Sequence, residues 1–529
     1  MEGVWVYLIA LLVILLILYL WRQQRSLRTY PPGPLPLPFI GGLWRIVFRY
    51  REDTLIKLAK QYGNIYTLWV ANLPVVVLSG FHAVKEGLVN HLEELSDRPL
   101  TPFFRVIGRE KGVALSNGHT WKQQRRFGLH SLRKLGLGKK SMERQIEAEA
   151  QQLVEIFARE KAVDTGNVAE IGRSFFTFGK DCPSQTRYVS SAFDGFSAGQ
   201  PFNPSMAITN SVSNVICAVT FGQRFSLEDE NFKKLIEALD LALIAIGSFS
   251  HALYEVMPWL MKNIPGLHRK AFYASKMIFS LAKTKIEKHK EDNSCHDPQD
   301  FIDFYLLQME RSKNDPDSTY DEENLAQYIQ DLFITGTETT ATVLKWAILL
   351  LANYPDIQDK VYKEIEDVLV SSSICYQDLK KLPYTNAVFH EIQRSKYILL
   401  VGFPRQSTKD MNLRGFHIPK GTIVIPDVRS VLFDPEQWET PEEFNPNHFL
   451  DKEGNFVARE EFLPFGAGAR VCLGEQLARM EYFLFLTNLL RAFRFQLPKG
   501  VKELNPNPII GITTPPHPYK VCAVPRHSP

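Results

Sequence analysis

Apolar residues recur at helical spacing over most of the chain, and strand-like runs are confined to Ile65–Trp69, Val75–Leu78, Phe416–Pro419, Thr422–Ile425 and Tyr519–Val524. The pattern predicts a mainly α protein with small β-sheets. Its longest helical run is Glu323–Ala352, whose middle carries GTETT, a cluster of poor helix formers between apolar flanks. Such a cluster predicts a local bulge that frees backbone and hydroxyl groups for a ligand or water. A Thr-rich patch whose hydroxyls bond their own backbone carbonyls has the same sequence, and on this helix alone it is the better reading. A second helix is predicted over Pro383–Ile398, with Glu391 and Arg394 at spacing i, i+3.

The first residues depart from that pattern. Val4–Trp21 (VWVYLIALLVILLILYLW) is uncharged and close to the roughly 20 residues that cross a bilayer, and Arg22, Arg25 and Arg28 follow it. With Glu2 the only side-chain charge ahead of it, the positive-inside rule predicts a single retained transmembrane helix and a cytoplasmic body. A cleaved signal peptide fits worse, because the charges lie on the wrong side and no small-residue cleavage site follows. Pro31–Gly42 (PPGPLPLPFIGG) then reads as a stiff extended spacer. The predicted organisation is an anchor over 1–22, a basic and proline-rich hinge over 23–42, and one body over 43–529.

Composition adds mainly exclusions. At 529 residues the chain can bury a large core, and 45% hydrophobic residues, 22% charged residues and a formal charge of +3 give an ordinary globular balance with no footprint for nucleic acid. Six cysteines, Cys182, Cys217, Cys295, Cys375, Cys472 and Cys522, are scattered without CxxC pairs. Neither a zinc cluster nor a disulfide framework follows, and a reducing compartment does.

Cys472 is set apart by its surroundings. Pro464–Phe493 reads PFGAGARVCLGEQLARMEYFLFLTNLLRAF, which puts this cysteine between glycines at the start of a long apolar helix. There the helix macrodipole and Arg470 are expected to favour the thiolate, which is a nucleophile or a metal ligand. A nucleophile needs a base, and His390 and His448 belong to other segments. The ligand reading fits better, since Gly466, Gly468 and Gly474 strip side chains from the loop and let a flat, bulky cofactor lie against the backbone.

Phe465, Gly468, Arg470, Cys472 and Gly474 fill the pattern FxxGxRxCxG, which resembles the haem-binding loop of the cytochrome P450 superfamily. Further motifs fall in that family's order. Trp121 and Arg125 in WKQQRR resemble its propionate-holding WxxxR, TGTETT resembles its oxygen-activating helix, Glu391 and Arg394 form an ExxR, and Phe444–Phe449 (FNPNHF) with His448 resembles the meander that locks it. The likeness is greatest to the vertebrate microsomal second family, whose members oxidise fatty acids, eicosanoids and drugs.

The resemblance implies a cytochrome P450 fold whose body over 43–529 is a haem-thiolate catalytic domain. Cys472 would ligate the iron of haem b, with Trp121, Arg125 and Arg405 on the propionates and Glu338 and Thr339 delivering protons. Glu391, Arg394 and His448 would be structural. Electrons would come from NADPH through cytochrome P450 reductase, and the basic run Lys122, Arg126, Arg133, Lys134, Lys139 and Lys140 would steer that acidic partner, with cytochrome b5 a second candidate. Phe103, Phe104, Phe249 and Ile244–Leu260 would wall a lipophilic pocket open to membrane lipid. The implied activity is monooxygenation of arachidonate-like fatty acids or, second, of xenobiotics at the cytoplasmic face of the endoplasmic reticulum. A haem-thiolate isomerase or dehydratase that rearranges a peroxide without reductase would not need Glu338 and Thr339. A non-catalytic haem carrier would not need the oxygen-helix motif.

Two departures from the family pattern remain. Thr335 stands where the helix motif normally has Ala or Gly, adding bulk and a hydroxyl. Residues 162–198 have no counterpart in the family pattern, are rich in Ser, Gly and Thr, and lack helical period. A translated intron or alternative exon accounts for them better than a surface loop, since long structureless insertions in a compact fold are uncommon.

Overall fold

The computed structural model describes residues 54–138, 140–159, 200–226, 229–246, 248–291, 298–369 and 374–526, with scattered positions between 5 and 42. Most of the predicted anchor, Lys139 and the whole of 162–198 lie outside the described residues. No described helix is long and apolar enough to cross a membrane. Where the first segment is described, Trp5, Tyr7, Leu11, Val13, Ile14 and Ile17 are helical and exposed.

The architecture is mainly helical. In chain order the principal helices are α1 (Thr54–Tyr62), α2 (Pro102–Gly108), α3 (Gly118–Lys134), α4 (Lys140–Arg159), α5 (Ser205–Phe221), α6 (Glu230–Ala245), α7 (Phe249–Val256), α8 (Leu267–Glu291), α9 (Phe301–Arg311), α10 (Glu322–Asn353), α11 (Pro355–Val368), α12 (Pro383–Ser395) and α13 (Glu475–Ala492). Strands β1 (Ile65–Val70), β2 (Leu73–Ser79), β3 (Arg405–Gln406) and β6 (Ile423–Asp427) form one mixed sheet in the order β1-β2-β6-β3, with β2 and β6 parallel. Two hairpins complete the β structure, β4 (Met411–Leu413) with β5 (Phe416–Ile418) and β7 (Phe493–Gln496) with β8 (Cys522–Pro525). The proline-rich hinge docks on the sheet, where the Pro32 carbonyl accepts the Thr67 N–H at 2.9 Å.

Helix α10 runs through the centre. Asp321 caps its start by accepting the Asn324 N–H, Glu322 and Glu323 complement the dipole in the first turn, and Pro355 ends it after Tyr354. Its apolar residues pack against α5, α8 and α13, so most of its surface is buried.

Of the two readings of GTETT, the bulge does not form and the self-bonded threonine patch does. The helix is continuous through Thr335–Thr340 because its hydroxyls are satisfied along its own backbone: Thr335 Oγ1 donates to the Asp331 carbonyl at 2.7 Å and Thr339 Oγ1 to the Thr335 carbonyl at 2.6 Å. Close packing holds it straight, since a Cβ added at Gly336 would lie 2.5 Å from Ile216 of α5. Tertiary contacts override the weak propensity of the segment.

Candidate functional site

The loop 464–474 is shaped by its glycines and by one backbone bond. The Cys472 N–H donates to the Phe465 carbonyl at 3.0 Å, closing the loop into a hairpin. Gly468 must lack a side chain: its φ is +73° and a Cβ would sit 1.8 Å from the Leu88 carbonyl oxygen. At Gly466 and Gly474 a Cβ would meet nothing within 4 Å, leaving open space over the loop. That space belongs to a cavity of about 400 Å³ bounded by the loop, the middle of α10 and the start of α13.

Cys472 lies deep in the protein, yet its thiol is accessible because it opens into this cavity. Burial pushes the thiol up from its ordinary value, against the pull of the Gly474 and Glu475 N–H groups and of Arg125. The expectation that Arg470 favours the thiolate is corrected by the geometry. Arg470 turns away, donating to the carbonyls of Ser96, Val113 and Ser116, with its guanidinium 3.9 Å from the centre of the Trp121 ring. Left to itself the site favours the neutral thiol, and a coordinating metal is what would deprotonate it.

Four arginines converge at one edge of the cavity. These are Arg98, Arg125, Arg405 and Arg470. Burial lowers all four, holding Arg405 at about 10 and Arg470 at about 9, and neighbouring arginine charges add to it at Arg98, Arg405 and Arg470. Nε and Nη1 of Arg405, Nε of Arg98 and the Trp121 indole N–H are buried and without a partner among the described residues. Such a cluster is costly unless an anion sits against it. A planar group carrying two carboxylates and a metal within reach of Cys472 fits this donor set, so the residues present suit haem b. Arg98 was not legible in the sequence as a site residue. It is a lone arginine in a loop, and only the fold brings it beside Arg405.

On the opposite wall, α10 presents Thr335 and Thr339 to the cavity. Glu338 is buried and also borders the cavity, with Oε1 accepting the hydroxyls of Thr342 and Thr513, both at 3.1 Å, while Oε2 has no partner among the described residues. The cavity's outer wall is apolar. Phe104 stacks against Phe403 with centroids 5.9 Å apart, and Ile107, Leu243 and Ile246 extend the surface. Phe103, expected beside it, is instead fully buried in a cluster with His251, Tyr254 and Phe272. Successive helical positions face about 100° apart, so adjacent phenylalanines separate into wall and core. The side chain of Phe249 lies outside the described residues.

Beneath the loop, Glu391 and Arg394 of α12 form the predicted pair, buried and bidentate. Arg394 also donates to the carbonyls of Leu432, Pro441 and Glu443, while Glu391 accepts the Asn445 N–H and faces His448 Nδ1 at 3.2 Å. The helix is thereby tied to the segment that leads into the cysteine loop. Of the basic run, Lys122, Arg126 and Arg133 border one surface hollow on α3, Lys134 sits over the Phe304 ring, and Lys140 opens α4.

The chain is similar to known proteins along nearly its whole length. A family described as Cytochrome P450 matches residues 31–178 and 185–523, so the match runs through most of 162–198 and breaks only at 179–184. The chain is 39% identical over 505 residues to Cytochrome P450 2J2 of Homo sapiens, covering 95% of this chain and 93% of that protein. It is similarly 39% identical over 507 residues to Cytochrome P450 2J5 of Mus musculus, with 95% and 93% covered, and 38% identical over 532 residues to Cytochrome P450 2D28 of Mesocricetus auratus, with 99% of each covered.

Proposed function

The chain belongs to the cytochrome P450 family, as a haem-thiolate monooxygenase acting on lipophilic substrates, and on that premise we propose how its own residues divide the work. The observation that carries the reading is the set of buried, unpartnered donors on Arg98, Arg405 and Trp121 around the cavity into which Cys472 opens. These donors and Arg125 would hold the propionates of haem b, and Cys472 would ligate its iron. Haem b supplies the activation of dioxygen and the transfer of one oxygen atom to substrate, with electrons from NADPH.

The protein's part is binding, proton handling and exclusion of water. Thr339 faces the cavity with its hydroxyl proton donated to the Thr335 carbonyl, so its oxygen is placed to accept from a water there and hold it in the cavity; passing a proton on would require the hydroxyl to turn away from Thr335. Glu338 has one oxygen pinned by two threonine hydroxyls and the other unpartnered, which suits it to receive protons from outside the cavity. Phe104, Phe403, Leu243 and Ile246 would hold an apolar substrate against the haem.

The basic hollow of Lys122, Arg126 and Arg133 supports docking of an acidic electron donor, NADPH–cytochrome P450 reductase, with cytochrome b5 a second user of the same surface. Val4–Trp21 would anchor the body to the endoplasmic reticulum membrane, and exposed Trp259, Leu260 and Ile264 support an apolar contact with the same surface. Arachidonate-like fatty acids are the first substrate class and drug-like xenobiotics the second. Reconstitution with reductase, NADPH and both classes tests this reading. Product that requires NADPH and oxygen supports it, and peroxide rearrangement without reductase would replace it.

A further inference from the structure

Glu481 is one of the buried acids that the mechanism above leaves unused. It lies on α13, nine residues beyond Cys472 in sequence, and is buried at the rim of the haem cavity where α13 meets α10. Its Oε2 accepts the hydroxyl of Thr340 at 2.9 Å. Its Oε1 is buried and has no partner among the described residues, and no cation among them acts on it. The groups set against it are Thr340 from α10 and Tyr482 beside it on α13.

An ionised carboxylate with one hydroxyl donor and one bare oxygen in such a place is strongly disfavoured, and protonation at Oε1 removes the charge while leaving Oε2 free to accept from Thr340. Thr340 is the next residue after Thr339, and Glu481 rides on the helix that follows Cys472. The bond therefore joins the helix of the oxygen face to the helix of the thiol at the level of the cavity.

We propose that Glu481 is a positioning residue, a neutral carboxylic acid that locks α10 to α13 through Thr340 and so sets the gap between Thr339 and Cys472. The proposal rests on the haem-thiolate reading for its consequence, but not for its chemistry. Burial pushes the Glu481 carboxyl up to about 8, with the Thr340 hydroxyl the opposing pull. Relative to its ordinary 4.5 the folded chain holds the extra proton, so this part of the stability is present at low pH and is lost as pH rises through about 8.

The experiment uses full-length holoprotein. Infrared difference spectra between neutral and alkaline pH should show a carboxylic-acid carbonyl band that fades at high pH in the wild type and is missing in Glu481→Gln. Glu481→Gln keeps a neutral acceptor for Thr340 and should retain haem as the wild type does, whereas Glu481→Leu and Thr340→Val should lose haem about tenfold faster. Should Glu481→Leu fail to fold, Thr340→Val removes the same bond from its smaller side. Absence of the band in the wild type, or haem loss in Thr340→Val at the wild-type rate, would overturn the proposal. The infrared band reads Glu481 with or without haem, so failure of the haem-thiolate reading is seen separately, as a wild-type chain without a thiolate-ligated spectrum.

Discussion

Arg394 grips Glu391 through two hydrogen bonds of 2.8 Å each, with both side chains shut off from solvent. Removing one partner leaves a buried charge uncompensated, a cost of about 3–5 kcal/mol. Glu391→Ala should therefore yield no haem-loaded protein, and normal holoprotein yield would refute the role.

The arginine cluster should be paid for by the anion it binds. Arg405→Leu and Arg98→Leu each remove donors that are buried and unpartnered among the described residues. Each variant should release haem to an acceptor globin at least about tenfold faster, since a charged hydrogen bond contributes about 1.5–3 kcal/mol. Unchanged release from Arg98→Leu would remove that residue from the site.

Acid should destabilise the protein through His390. Burial, with Arg479 alongside, pushes its imidazole from 6.5 down to about 3, and its Nε2 lies 3.1 Å from Arg479 Nη1. The unfolded chain binds the proton more tightly, so this stability is present above about 6.5 and is lost as pH falls toward about 3. Melting temperatures of His390→Gln across that window should fall less steeply than those of the wild type. Parallel curves would contradict the assignment.

Charge reversal on α3 should act on electron supply alone. Lys122→Glu with Arg126→Glu should raise the reductase concentration needed for half-maximal turnover several-fold and weaken its salt dependence, with the haem spectrum unchanged. Loss of haem from this variant would show that the surface supports the fold instead.

Thr339→Ala should separate electron use from product. NADPH oxidation continues while product per NADPH falls at least about tenfold, because proton delivery by a positioned group contributes on that scale or more. Equal coupling in the variant would reassign the hydroxyl to its helical bond with Thr335.

What the sequence made legible was chemistry held at short spacing. Cys472 among its glycines, Trp121 with Arg125 and Glu391 with Arg394 are each a few residues apart; Cys472, Trp121 and Arg125 line one cavity, and Glu391 and Arg394 pair. What it hid depends on partners far along the chain. Arg98 meets Arg405 across more than three hundred residues, and Thr340 meets Glu481 across 141. At GTETT the self-bonded threonine patch was legible in the sequence, whereas the packing of Ile216 against Gly336 was not. Arg470 was misplaced because a long side chain reaches past its neighbour to Ser96 and Ser116.

The most direct measurement is the reduced, carbon monoxide-bound difference spectrum of the full chain, residues 162–198 included, expressed in membranes. The account expects a strongly red-shifted Soret band, the signature of haem held by the Cys472 thiolate, and its loss in Cys472→Ala. A band at the position of neutral-thiol or histidine ligation, or no band, would contradict it.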